Sequence, residues 1–211
     1  MNTPKHLILA LASAAIALGA CTSKPVNTTV KPLPVGIENI AEIDNDTVSV
    51  AFENTDFNWH GSNLQATVYS ENLYDSAAVA GMHVGDTIVY DAQPIAVTKV
   101  VAKDGRVVVN DGIEEGGAEL QLVGGRKVYR AVTLDDHSVY TALGKTSLIL
   151  NSDFKIIDCG ENPDDPNDTI TSNQKQYLES LPEGRRSFFQ LNTKVVVKDG
   201  LVTEIQRRWI P

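Results

Sequence analysis

The chain has 211 residues, with 27 acidic and 18 basic side chains, a formal charge of −9 and two cysteines. An acidic surface repels phosphate backbones and anionic headgroups, so nucleic acid and a bare lipid surface are excluded as partners. The length suits one domain or two small ones, with a core large enough to need no disulfide.

Lys5 and His6 stand before an uncharged run of Leu, Ile, Ala, Ser and Gly over residues 7–20. Such a segment reads as an export signal, because its apolar stretch falls short of the roughly 20 residues a spanning helix needs. Its end, Leu18-Gly19-Ala20-Cys21, resembles the lipobox of bacterial lipoproteins. That resemblance implies cleavage before Cys21, diacylglycerol on its thiol and acylation of the new amino group, so the partner it supplies is the lipid bilayer. An Asp after the cysteine tends to mark retention in the inner membrane of two-membrane bacteria. Thr22 therefore implies the outer membrane where the cell has one. Cleavage leaves 191 residues with 17 basic and 27 acidic side chains, a balance of −10, because the leader carries one lysine and no acid.

Residues 22–36 hold three prolines and several hydroxyl side chains without a repeating apolar face. They read as a solvated tether after the lipidated Cys21, reaching roughly 45 Å at about 3.1 Å per residue. A β-rich globular domain is expected over 37–211, with a break into two small subdomains near 125–130. Alternation of apolar and polar residues over 37–43 and 47–52, around Asp44-Asn45-Asp46, predicts a hairpin. A polar stretch with Phe57 and Trp59 follows, then strand-like composition over 64–70. Asp75 or Ser76 is placed to cap a short helix over 77–83.

Strands are expected over 87–90, 95–101 and 106–110, with Asp104-Gly105 turning the last two back on each other. Asp-Gly between β-branched runs is a strong hairpin signal, since the turn whose twist matches the strands needs positive φ. The pattern Val-x-Lys-Asp-Gly-x-Val recurs at 196–202, and a shared hairpin solution explains it more simply than a duplication. Further short strands are predicted over 118–123, 127–134, 138–143, 147–151 and 154–158. Cys159 would end the last with its sulfur packed as a small hydrophobe. Residues 160–170 read as a loop, and Thr171 with Gln174 forms a capping-box pattern for a helix to about Leu181. The fold class is thus mainly β, an antiparallel sandwich or small barrel of short strands with one or two short helices.

Two stretches, 85–89 leading to 110–117 and the closing 192–205, resemble segments of small, uncharacterised secreted or lipid-anchored bacterial proteins. The resemblance implies an envelope-facing β domain and carries no catalytic motif.

Candidate sites are few. Asp135-Asp136-His137 is the one place where carboxylates adjoin a histidine, the pattern of a base and its orienting acid. A Gly-x-Ser-x-Gly nucleophile turn is absent, and a solvated turn is the plainer reading. The histidines lack zinc-site spacing, and no cofactor is expected. Asp164, Asp165, Asn167 and Asp168 offer calcium-type oxygens without the spacing of a calcium loop. Trp59, His60 and Asn63 form the best recognition candidate, a ring and amides in a polar loop, against the plainer expectation that a lone Trp packs on the core. The expected function is a lipid-anchored envelope protein that binds a protein or polymer partner without catalysis. The alternatives are an envelope hydrolase built on Asp135, Asp136 and His137, and an inhibitor of an extracellular enzyme that presents the 160–170 loop.

Overall fold

The computed structural model describes residues 26–34, 40, 43–159, 169–208 and 210. The expected export signal, Cys21 and the acidic residues 160–168 lie outside them. In chain order the strands are β1 (Thr29–Val30), β2 (Asp46–Glu53), β3 (Phe57–Asn58), β4 (Asn63–Glu71), β5 (Leu73–Asp75), β6 (Thr87–Tyr90), β7 (Gln93–Ala96) and β8 (Val100–Lys103). They continue as β9 (Arg106–Val109), β10 (Ala118–Leu122), β11 (Val128–Ala131), β12 (Tyr140–Cys159), β13 (Thr169–Ile170), β14 (Ser187–Phe188), β15 (Thr193–Lys198) and β16 (Leu201–Arg208). Two short helices, α1 (Ser76–Ala80) and α2 (Gln174–Ser180), complete the described elements longer than one turn. The protein is mainly β and mostly antiparallel, as the alternation predicts.

Apolar side chains gather in two clusters. The larger forms inside a curled sheet in which β12 pairs β4, β4 pairs β2, β2 pairs β15, β15 pairs β16 and β16 returns to β12. Period two drives this: Val48, Val50 and Phe52 of β2, Leu64, Ala66 and Val68 of β4, and Val195 and Val197 of β15 all point inward. Their neighbours Thr47, Ser49, Lys194 and Val196 point out. Phe52 stacks on Phe188 and meets Phe57 edge to face, with centroids 4.5 and 5.5 Å apart. Arg207 is also inward and 4% exposed, because the Asp158 carboxylate takes its guanidinium in a fork and Phe188 lies 4.1 Å beneath it.

The smaller cluster belongs to an excursion from this sheet. The chain leaves it at Glu71, builds β5 to β11 and re-enters at Tyr140, directly opposite Glu71. The 125–130 stretch is internal to this excursion, since β10 and β11 pair across it. Tyr74 is fully buried here and donates to the Val89 carbonyl at 2.7 Å, while Tyr90 donates to the Val132 carbonyl. Burial pushes the Tyr90 phenol up to about 12.

Local signals mostly hold. Asp104-Gly105 and Asp199-Gly200 both adopt the paired positive φ of the tight hairpin turn, at 50° and 76° and at 52° and 73°. Asp75 caps α1 by accepting from the backbone N–H groups of Ala77 and Ala78. Four expectations meet the structure differently. First, β2 pairs with β4 and β15, and most of the first arm of the expected 37–43/47–52 hairpin lies outside the described residues.

Second, the predicted strands at 138–143, 147–151 and 154–158 are one strand, β12. Register shifts after Ala142 and after Leu150 absorb its polar breaks. Third, α2 has no capping box: Asn173 begins it in the left-handed region, and Gln174 instead donates to the carbonyls of Phe154 and Thr171.

Fourth, the solvated tether expected over 22–36 is partly docked. β1 pairs in parallel with β6, and Val30 is 4% exposed within the smaller cluster. The cause is Asp86, 1% exposed, which accepts the Thr28 N–H at 2.6 Å and the His83 N–H at 2.9 Å. Those two backbone donors, Thr28 first, hold its carboxyl below the usual carboxylate range.

Candidate functional site

A cleft of about 700 Å³ lies where the excursion folds back over the outer face of the large sheet. Its floor is the outward phase of five strands: Thr47 of β2, Glu71 of β4, Tyr140 of β12, Lys194 of β15, and Gln206 and Arg208 of β16. Its wall is Arg130 of β11 and the turn that bears Asp136, His137 and Ser138. Strand alternation places these groups. Arg207 turns inward to Asp158, so Arg208 must turn outward, and Lys194 is directed out by the burial of Thr193 and Val195 on either side.

The wall is a hydrogen-bonded set. Arg130 donates to the Gln121 side-chain oxygen at 2.7 and 3.2 Å, to Ser138 Oγ at 3.1 Å and to the Asp136 carbonyl at 3.3 Å. Ser138 Oγ in turn donates to Glu71 Oε1 at 2.6 Å. Tyr140, half-buried, has its phenol pushed up by burial and by the nearby Glu71 charge. Behind the wall Arg106 bridges Asp136 Oδ1 at 2.5 Å and Glu119 Oε2 at 2.9 Å.

Asp136 and His137, two of the three residues singled out as a hydrolytic pattern, do line the cleft beside a serine. They are not assembled for that chemistry. The Asp136 carboxylate is turned to Arg106, Asp135 is exposed on the same turn, and among the described residues neither acid bonds the imidazole. Ser138 is held between an arginine and a glutamate rather than by a base. The turn itself closes on Thr133, which accepts the Asp136 N–H and receives the His137 N–H on its hydroxyl.

Trp59 lies on the other side of the sheet. It is half-buried, its ring stacked on Phe57 at 4.9 Å and facing Phe154 at 6.5 Å. His60 is exposed, and Asn63 donates to the Gly61 carbonyl, so the 58–63 loop is closed by its own amides. The structure does not bring this loop to the cleft. Cys159 sits half-buried at the end of β12. No group of His, Cys, Asp and Glu suited to a metal occurs among the described residues. The calcium candidates Asp164, Asp165, Asn167 and Asp168 lie outside them.

Sequence reasoning missed Glu71, Arg130, Ser138, Lys194 and Arg208. Ser138 sits on a turn and each of the others is one polar residue in a strand, and only the pairing order, which spans 137 positions from Glu71 to Arg208, gathers them. Comparison with protein-family models, curated proteins and solved structures finds no match.

Proposed function

We propose that this chain is a lipid-anchored protein of the bacterial cell envelope whose β domain binds a partner in the cleft without catalysing a reaction on it. The lipobox-like Leu18-Gly19-Ala20-Cys21 supports the anchor. Lipid attachment requires more than one acyl chain to hold firmly, at about 0.8 kcal/mol per buried methylene, and the lipoprotein pattern supplies two or more. The outer membrane is the address that Thr22 favours.

The docking of β1 carries the reading furthest. With residues from Thr28 onward fixed to the excursion, only the seven steps from Cys21 to Thr28 remain to span the distance to the bilayer. At 3.3–3.6 Å per residue they reach at most about 25 Å, against roughly 45 Å for a wholly solvated tether. The excursion, and the cleft wall it forms, therefore stays close to the membrane surface. A binding role is favoured because the cleft has many polar groups and no nucleophile held by a base. Growth with an alkyne-bearing fatty acid tests the anchor. Label and membrane fractionation should both be lost in Cys21→Ala, and an unlabelled wild type that remains in the soluble fraction would overturn it.

A further inference from the structure

The cleft carries an uncompensated positive charge on an acidic protein. Arg130, Lys194 and Arg208 line it, and among the described residues none of the three forms an ion pair with a carboxylate. Arg130 spends its donors on an amide oxygen, a hydroxyl and a backbone carbonyl. By contrast Arg106 holds two carboxylates, and Arg207 is locked to Asp158. The lining itself holds two acids, Glu71 and Asp136, against these three cations, and Asp136 is turned to Arg106, which it shares with Glu119. In a chain of net charge −9 such a concentration attracts anions, and the low-dielectric walls of a cleft focus its field.

The rest of the lining narrows the class of anion. A volume of about 700 Å³ suits a ligand of two or three rings rather than a simple ion. Phosphate sites favour backbone N–H groups at helix starts. Here the floor is strand throughout, and the two helices, of five and seven residues, do not contribute to it. Hydroxyl and amide groups stand among the cations. Asn192, which lines the cleft from the turn before β15, accepts the Thr193 hydroxyl on its side-chain oxygen, and Gln206 of the floor donates its nitrogen to Glu204, so the opposite ends of both amides remain for a ligand. Tyr140 offers an aromatic edge among them. Hydroxyl-matching amides, a ring and forked cations together fit a sugar that bears a carboxylate.

We propose that the cleft binds an acidic saccharide, with Lys194 and Arg208 receiving its carboxylates, Arg130 adding its charge from the wall, and Asn192 and Gln206 receiving its hydroxyls. This rests on the binding role given above and names the ligand class for the same site. It also makes the membrane-near position of the wall useful, since anionic polysaccharide would be gripped close to the bilayer.

Titration calorimetry on the full chain as purified tests it, with oligogalacturonate as the probe. Its comparators are a neutral galactose oligomer of equal length and inorganic phosphate. The acidic oligomer should bind, the other two should not, and affinity should fall as sodium chloride is raised. The paired variant Lys194→Gln/Arg208→Gln changes two exposed side chains and should keep the wild-type melting temperature. It should weaken binding by about tenfold or more. Arg208→Lys, which keeps the charge and loses the fork, should weaken it as well. Equal binding of the neutral oligomer would overturn the acidic class while leaving a saccharide cleft. Competition by phosphate at the same concentration would overturn the saccharide. Absence of any binding, or full binding by the paired variant, would overturn both the ligand and the role of the cleft.

Discussion

Val30→Ala is the sharpest probe of how the chain is held to its own domain. Val30 is 4% exposed and packs in the smaller cluster, and the substitution deletes two methyl groups. At about 0.8 kcal/mol per buried carbon, the transfer loss is about 1.6 kcal/mol, and incomplete collapse of the cavity raises it to about 2 kcal/mol. β1 is only two residues long and lies at the edge of its sheet, so this loss should appear as local opening rather than global unfolding. A change of 2 kcal/mol corresponds to about a thirtyfold rise in the opening equilibrium. Hydrogen exchange should therefore show the amides of Thr29, Val30, Lys31 and Leu33 exchanging about thirty times faster, with β12 and β16 unchanged. Protease cleavage near Lys31 should accelerate in parallel. Unaltered protection of these amides would refute the docking of β1 and restore the long tether.

Three other outcomes follow from local geometry. Ala92 holds φ at +60° beside Asp91 at +47° in the turn between β6 and β7, so Ala92→Gly should raise stability by about 1 kcal/mol in denaturant titration. A decrease would mean that this turn has another shape. Trp59→Ala should cost about 2 kcal/mol, below the range for a fully buried ring because Trp59 is half-buried, and it should leave cleft binding unchanged. A neutral stability effect would return Trp59 to the list of recognition residues. Asp86 has a depressed folded pKa, so its contribution is fully present above the unfolded value of about 3.9 and is lost as pH falls through the lower folded value. Protection against exchange at Thr28 and its neighbours should fall below about pH 4 and stay constant from there to neutrality; loss of protection already near neutrality would refute the role of Asp86.

The elements legible in the sequence are those fixed by a few adjacent residues. Asp104-Gly105 and Asp199-Gly200 specify their turns, and Asp75 specifies the start of α1, because each signal acts within four positions. Pairing between distant strands is not written locally. Residues 47–52 alternate equally well for any neighbour, and their pairing with β4 and β15 is set by the shared cluster around Val50 and Val195. The tether was misread for a similar reason. Thr28-Thr29-Val30 has strand propensity, but its partner is an aspartate 58 residues away.

The cleft was half legible. Asp136 and His137 attract notice as neighbours in sequence, yet the cations that give the cleft its charge come from three separate strands. Consecutive Arg207 and Arg208 show why composition does not suffice: one serves a buried carboxylate and the other the opposite face. Only the phase of β16 tells them apart.

The account turns on Cys21, because lipid at that sulfur is what makes a short span to Thr28 a matter of height above a membrane. Intact mass spectrometry of the N-terminal peptide from native material measures this directly. The expected result is a peptide that begins at Cys21 and carries a diacylglyceryl thioether and an acylated amino group. A peptide that begins elsewhere, or one that begins at Cys21 with an unmodified thiol, would contradict it.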